Sequence, residues 1–189
     1  HEMLRCYYRR DGGGYSADWV RLSKASMKST IPRFNAQRML MDYVKKLYWP
    51  ARQQRRKLGA NGGEIARALA DWKGRVRAAW PGVNVQLMVQ PPAHLYHDQA
   101  IFLRVRADLN GLQAPDVKLE CLLGRGSSDS DFRLEQLAEI PAVGADGQYT
   151  EFEVELSPQL AGLQYYKLRM YPFNDALSHP FELGCMIWI

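Results

Sequence analysis

The hydrophobic period of this chain changes at Trp80-Pro81-Gly82, and the change limits its fold more than any other feature. Upstream, apolar residues recur at every third or fourth position, which is typical of amphipathic helices. Downstream, apolar and polar residues alternate, which is typical of strands with one buried face. The chain is therefore predicted to be an α+β protein, with a helical segment over residues 1–80 and a β domain over residues 83–189.

Three helices are predicted in the helical segment. Ser16 is placed to cap the first, Pro32 breaks it, and Asn35 is placed to cap the second. Because Pro50 cannot donate a backbone hydrogen bond, Trp49-Pro50 is expected to kink or interrupt the second helix. The third helix is predicted from Glu64 to about Ala79. The second helix also carries a wide apolar face, made of Met39, Leu40, Tyr43, Val44, Leu47 and Tyr48.

Seven short strands are predicted after Gly82, separated by clusters of Gly, Pro, Asn and Asp. Within these clusters, Asn110-Gly111 is expected to form a turn. Strands of this number and spacing indicate an antiparallel β-sandwich of the immunoglobulin or fibronectin type, although periodicity alone does not establish which strands pair. The strands are expected near residues 83–89, 101–107, 117–123, 132–140, 150–156, 166–170 and 183–189.

The net charge of +5 combines two regions of opposite sign. Residues 1–80 carry 18 Lys and Arg against 6 Asp and Glu, whereas residues 81–189 carry 7 against 14. Such a basic helical region is able to bind nucleic acid by neutralising phosphates, or to dock on an acidic protein surface. Because its cations are scattered around the helices while its aromatic residues form core-like stripes, nucleic-acid binding ranks as the less favoured function.

Composition excludes two classes of protein. The chain is 47% hydrophobic, which is typical of a globular protein and not of a disordered one. It has no run of about 18 apolar residues, which excludes a membrane protein.

Cys6, Cys121 and Cys185 are far apart and form no CxxC pair, which fits a reducing, cytoplasmic setting. Since the chain begins with His1 instead of methionine, we expect it to be a piece of a longer protein.

Few patterns in the sequence suggest chemistry. His94, His97 and Asp98 would supply only part of a metal site, because zinc needs three or four ligands and these residues lie in a predicted loop. The glycines within residues 12–14 and 124–128 lack the motifs of a phosphate-binding loop, so they are interpreted as turns. No metal ligand is therefore assigned.

Three carboxylates lie at alternate positions of one predicted strand, Glu151, Glu153 and Glu155. Side chains at this spacing share one face of a sheet. They are interpreted as the solvated face of the strand and not as a general acid and base. No catalytic or cofactor-binding residue is assigned in the chain.

Several segments, taken in order, resemble one enzyme family. Trp19–Met27, Pro32–Met39 and Asp42–Val44 resemble the C-terminal region of bacterial α-glucan phosphorylases, the glycogen and maltodextrin phosphorylase family. That family has a tryptophan helix, a Phe-Ser-x-x-Arg-like element and a Glu-Tyr-like helix. Here Asn35 stands for the usual serine and Asp42 for the usual glutamate, and both replacements conserve capping ability or charge.

The resemblance extends towards both ends of the chain. Tyr7–Asp11 looks like the family's Tyr-Tyr-Asp-Arg-Asp lead-in, and Tyr48–Ala51 looks like its Tyr-x-Pro-Ala continuation. His179–Gly184 and Trp188 look like the closing segment of the subgroup that has an added C-terminal β domain. The order and spacing of these motifs are more specific than any one of them.

The resemblance implies a parent enzyme that cleaves α-1,4-glucans with phosphate and releases glucose 1-phosphate in glycogen and maltodextrin metabolism. It also implies pyridoxal phosphate as the cofactor of the parent, bound at a lysine in a Ser-Asn-Met-Lys-like motif. Met27-Lys28 lacks the Ser-Asn lead, so this role is not transferred. The chain is predicted to be a C-terminal fragment of this glycosyltransferase that is not catalytic alone, holds no cofactor and has a structural or assembly role.

Partners are predicted on the same basis. The apolar helix faces, including Trp19, Tyr43 and Trp49, are expected to pack against the absent catalytic domains. Without these domains, they are expected to pack on each other, on the β domain or on another chain, as in a homo-oligomer. An alternative function is that of a carbohydrate-binding β-sandwich, in which aromatic rings stack on α-glucan. Tyrosines near strand ends are more often partly buried packing residues. The candidates for glucan contact are Tyr96, Tyr149, Tyr165 and Tyr171.

Overall fold

The computed structural model describes residues 2–10, 12–92, 94, 96, 99–126, 131–157 and 162–189. Its helices and antiparallel strands confirm the α+β prediction. The α-helices are α1 Glu2–Tyr8, α2 Ala17–Thr30, α3 Ala36–Tyr43, α4 Trp49–Gly59 and α5 Glu64–Ala79. The strands are β1 Asn84–Val89, β2 Ile101–Asp108, β3 Val117–Arg125, β4 Arg133–Glu139, β5 Ala142–Asp146, β6 Tyr149–Leu156, β7 Tyr165–Pro172 and β8 Ile187–Trp188.

The chain divides into two compact units, residues 1–56 and residues 57–189. The first contains α1 to α3 and most of α4. The second contains α5 and all the strands. The sequence-based boundary between residues 80 and 83 stays a prediction about domain organisation.

Both predicted helix caps are confirmed. The Ser16 hydroxyl accepts the Trp19 N–H at 3.2 Å and also donates to the Cys6 carbonyl, which links α2 to α1. Asn35 Oδ1 accepts the Arg38 N–H at 2.7 Å at the start of α3. These bonds satisfy donors that the first turn of a helix leaves without a partner. Helix α1 is an addition to the three predicted helices.

The helix continues past Trp49-Pro50 by widening instead of ending. Val44–Tyr48 forms a π-helical turn between α3 and α4, and the Trp49 N–H donates to the Val44 carbonyl five residues before it. Pro50 has no N–H to continue the regular pattern, and single π turns are a recurrent way of absorbing such a defect. The expected interruption is therefore a change of helix type.

Helix α5 packs as the sequence predicts. Its spacing buries Leu69, Trp72 and Val76 along one face, and they form a cluster with Ala176. Three partly buried leucines pack against this cluster, namely Leu112, Leu177 and Leu183. At the end of the helix, the Asn110 amide donates to the Ala79 carbonyl at 2.8 Å, and a Cβ at Gly82 would overlap that amide.

Two four-stranded antiparallel sheets account for the rest of the second unit. The first sheet has the order β1-β2-β6-β5 and the second has the order β4-β3-β7-β8. Inward side chains of both sheets form one core, in which Leu103, Val105, Leu119, Leu168 and Met170 are at most 1% exposed. The turn at Asn110-Gly111 is confirmed, with both residues at positive φ.

The sequence missed β5 and overestimated β8. All five residues of β5 are exposed and one is glycine, so the strand has no alternating burial to detect. The expected strand over residues 183–189 is limited to Ile187–Trp188, because Leu183 ends a turn and residues 184–186 are irregular. Beyond β8, Ile189 exchanges two backbone hydrogen bonds with Leu168, at 3.0 and 3.3 Å.

Alkaline pH should destabilise the second unit through Cys121 in the core. Burial raises the pKa of this thiol from 9.0 to about 12. Above pH 9 the unfolded chain therefore loses a proton that the folded chain keeps, and the free energy of unfolding decreases as pH rises towards 12. Urea denaturation at about pH 8 and about pH 10.5 would measure the decrease, which Cys121→Ala should make smaller. Equal decreases in both proteins would contradict this assignment.

Candidate functional site

The tyrosines predicted to contact glucan do not lie together. Tyr149 begins β6 opposite Asp108, at the end of the first sheet where β2 leads to β3. Tyr165 begins β7 opposite Gly124, in the second sheet and towards its other end. Tyr96 lies between β1 and β2 and is 84% exposed. The structure therefore offers three separate tyrosines with some open surface and not one aromatic platform.

Tyr171 is a packing residue in this structure. It is 4% exposed, and its hydroxyl donates to Glu120 Oε1 at 2.8 Å. Arg169 donates to Glu120 Oε2 at 2.7 Å, so the carboxylate is satisfied on both oxygens. Burial first, and then the hydrogen bond to Glu120, hold the pKa of Tyr171 far above its ordinary value. Its ring has no face open to a sugar.

Glu120, Arg169 and Tyr171 are here called the Glu120 cluster. Aromatic rings of the C-terminal segment, residues 173–189, contact this cluster. The Arg169 guanidinium lies 4.9 Å from the Phe181 ring centre and 5.9 Å from that of Trp188. Phe181 also meets the Tyr171 ring edge-to-face at 5.0 Å. Such cation–π and edge-to-face contacts are stabilising when they are shielded from water. The cluster attaches the C-terminal segment to the second sheet.

A groove of about 780 Å³ opens beside the start of β3. Its polar lining includes Asp116, Lys118, Glu139 and Asn174. Lys118 Nζ lies 2.8 Å from Glu139 Oε2 and 4.3 Å from the centre of the Phe173 ring. Because the groove takes residues from separate chain segments, no local motif announces it. Its lysine and glutamate neutralise each other.

The three glutamates of β6 are on the outer face of the first sheet, and two of them have arginine partners. Arg106 lies 3.0 Å from Glu151 and also contacts Asp146, while Arg104 pairs with Glu153. The pairs are partly exposed, so they resemble surface ion pairs of small stabilising effect. This arrangement fits a polar, solvated strand face.

The structure describes only part of the segments that were considered as a metal site or a glycine loop. Within the parts of the chain that the structure describes, no group of three or more His, Cys, Asp and Glu could hold a metal ion. His97 and Asp98 lie outside the described residues, as do residues 127 and 128. Gly12–Gly14 lies in a turn and bend, as predicted, whereas Gly124 and Arg125 are the last two residues of β3 and not part of a loop.

The first unit has a basic and apolar surface. Ser16 is the one buried residue among those described in this unit. Helix α4 has no acidic residue in its first turn, and the Arg52 guanidinium lies 5.9 Å from the Trp49 ring centre. No helix in the described part of the chain is long and apolar enough to cross a membrane. The exposed large apolar side chains include Met3, Tyr8, Met27, Phe34, Leu40, Leu47, Tyr48 and Trp49.

Comparison with known proteins finds one enzyme family. The family model described as "Glycogen phosphorylase C-terminal domain" matches residues 80–189. The chain is 28% identical to maltodextrin phosphorylase of Thermococcus litoralis over 192 residues, which cover 100% of this chain and 22% of the relative. It is 31% identical to glycogen phosphorylase of Mycobacterium bovis over 182 residues, which cover 94% and 21%. The chain thus spans about a fifth of the length of these curated relatives.

Proposed function

Because the chain belongs to the family of glycogen phosphorylase C-terminal domains, we propose that it is the C-terminal part of an α-glucan phosphorylase. In this proposal the parent is a cytoplasmic glycosyltransferase that uses phosphate to release glucose 1-phosphate from α-1,4-glucan. The chain itself is not catalytic and has a structural or assembly role. The resemblance found in the sequence motifs is confirmed as a family relationship.

The exposed apolar surface of the first unit carries this proposal. Phe34 is 75% exposed, Tyr8 is 70% exposed and Trp49 is 55% exposed. Large apolar side chains exposed in this number are typical of a surface that is covered by a partner. Since the relatives are about five times longer than this chain, we assign the helix faces to packing against the catalytic domains of the parent. Assembly into a homo-oligomer through the same faces stays an alternative.

We place pyridoxal phosphate in the rest of the parent, because neither Lys28 nor Lys118 of this chain fits the cofactor. Its phosphate and ring need a lysine amine free to form a Schiff base within an enclosed site. Lys28 lies in the last turn of α2 and is exposed. Lys118 lines the groove, but its ammonium pairs with Glu139 and covers the Phe173 ring.

We also propose that the two sheets form a sandwich of the immunoglobulin or fibronectin type. Their antiparallel pairing and common core support this interpretation. A sandwich appended to an enzyme stabilises it or positions it on a polymer, and neither role needs catalytic residues in the sandwich.

Phosphorolysis by the intact parent tests the main proposal. The parent should consume maltodextrin and phosphate and form glucose 1-phosphate, measured with a coupled assay. The purified 1–189 chain should show neither turnover nor the absorbance of pyridoxal phosphate. An intact, cofactor-loaded parent without phosphorolysis would refute the proposed function.

Glucan binding by the sheets is the second candidate function, favoured by the exposure of Tyr96. Aromatic rings open to solvent offer flat apolar surface to sugar rings. If this function holds, titration of maltoheptaose into the 1–189 chain should give measurable heat, and Tyr96→Ala should reduce it. Tyr171→Phe is the matched control, because Tyr171 is buried. A titration without heat would leave the sheets with a structural role alone.

A further inference from the structure

The outer faces of the two sheets differ in chemical character. On the first sheet, the outer face carries the ion pairs of Arg104 and Arg106 with Glu151 and Glu153. On the second sheet, Leu122 of β3 is two positions from Glu120 and lies on the same outer face. It is 7% exposed. An antiparallel sheet with one face in water is expected to be polar on that face. The second sheet also carries ion pairs on this face, Lys118 with Glu139 and Arg169 with Glu120, but apolar residues lie beside them.

Leucines of β4 extend the apolar surface of the second sheet. Leu137 is opposite Leu122, so the two side chains share the outer face. Glu135 is an extra residue where the register shifts, which brings Leu134 opposite Gly124 and onto the same face. Leu134 is 51% exposed and Leu137 is 49% exposed.

The C-terminal strand adds an aromatic residue to this surface. Trp188 is opposite Arg169, which is opposite Glu120, so Trp188 also lies on the outer face. It is 54% exposed, although its ring contacts the Arg169 guanidinium. Leu122, Leu134, Leu137 and Trp188 are here called the outer patch, in which Lys167 and Arg169 of β7 separate Trp188 from the leucines.

We propose that the outer patch docks on the remaining part of the parent phosphorylase, which places the outer face of the second sheet against the catalytic domains. The inference rests on the proposed function. About four fifths of the length of the relatives lies outside the region that matches this chain. Large apolar residues, including a tryptophan, are typical of the centre of such an interface.

Hydroxyl-radical footprinting of the intact parent and of the 1–189 chain tests the inference. Oxidation of Leu134, Leu137 and Trp188 should be at least about fivefold slower in the parent, since an interface core is almost fully buried. Phe102 is the internal control, because it is 43% exposed on the outer face of the first sheet. Its oxidation rate should be the same in both proteins.

Each result decides the inference. Equal rates for the outer patch in the two proteins would overturn it. Slow oxidation in both would also overturn it, because the cover would then come from residues 1–189. Protection that disappears when the parent is diluted to a monomer would assign the patch to a second copy and refute docking within the chain. Phosphorolysis measured on the same sample shows separately whether the proposed function holds.

A paired variant provides a second measurement. Leu134→Asp with Leu137→Asp should lower the thermal midpoint of the parent more than that of the 1–189 chain, since both positions are half exposed in the shorter chain. Phe102→Asp should lower the midpoint equally in the two proteins. An equal effect of the leucine pair in both proteins would argue against docking.

Discussion

Replacing Trp72 with alanine should destabilise the second unit by about 3–5 kcal/mol. Trp72 is 4% exposed and lies at the centre of the cluster that joins α5 to the C-terminal segment. Its indole N–H also donates to Asp116 Oδ1 at 2.8 Å. The substitution would therefore open a large cavity and would leave a carboxylate oxygen without its donor.

Urea denaturation of the 1–189 chain, followed by circular dichroism, would measure this change. Trp49→Ala is the matched control, because Trp49 is 55% exposed in the first unit, and its effect should stay within about 0.5 kcal/mol. Since the chain has two compact units, the transition of the strands must be analysed separately from that of the helices. A loss below about 1 kcal/mol for Trp72→Ala would show that α5 is not part of the folded β unit.

The position of α5 shows where sequence reasoning succeeds and where it stops. The period of Ile65, Leu69, Trp72 and Val76 predicts the helix and its buried face, because both depend on local spacing. It does not predict what that face packs against. Ala176 and Leu183 are more than a hundred positions away, and their contact with α5 depends on the tertiary fold.

The sequence predicts a strand where buried and exposed positions alternate. It misses a strand that has no such alternation. In β2 the burial alternates between buried and more exposed positions along the strand, and the sequence shows it. In β3, the outward residues Glu120 and Leu122 are buried as well, so alternation along the sequence does not predict the burial of this strand. Strand β5 has no buried residue and leaves no hydrophobic signal.

The sequence identifies the tyrosines of the candidate site, but it does not show which of them are exposed. Tyr96 and Tyr171 look equivalent in the sequence, yet one is 84% exposed and the other 4% exposed. The difference comes from Glu120, which is 51 positions away, and from Phe181 in the turn region after β7, and both contact Tyr171. The groove at Lys118 was missed for the same reason, because its lining residues are brought together only by folding.

Replacing Glu120 with glutamine should destabilise the second unit by about 3 kcal/mol. The Glu120 and Arg169 side chains are 12% and 17% exposed, so the substitution would leave a nearly buried guanidinium without its counter-charge. Removing one partner of such a pair costs more than the pair itself contributes, because the remaining ion has lost its hydration. The aromatic contacts of Arg169 do not replace a carboxylate, since they supply no hydrogen-bond acceptor of comparable strength.

The same substitution has a spectroscopic signature at Tyr171. Burial, the hydrogen bond to Glu120 and the negative charge of Glu120 raise the pKa of this tyrosine, and Glu120→Gln removes that charge. The pKa should therefore move back towards its ordinary value, which ultraviolet titration of the folded protein measures. Glu135→Gln is the matched control on β4, where the pair with Arg125 is more exposed. That control should cost no more than about 1 kcal/mol and leave Tyr171 unchanged. Equal losses for the two variants would mean that the Glu120 cluster does not hold the C-terminal segment on the sheet.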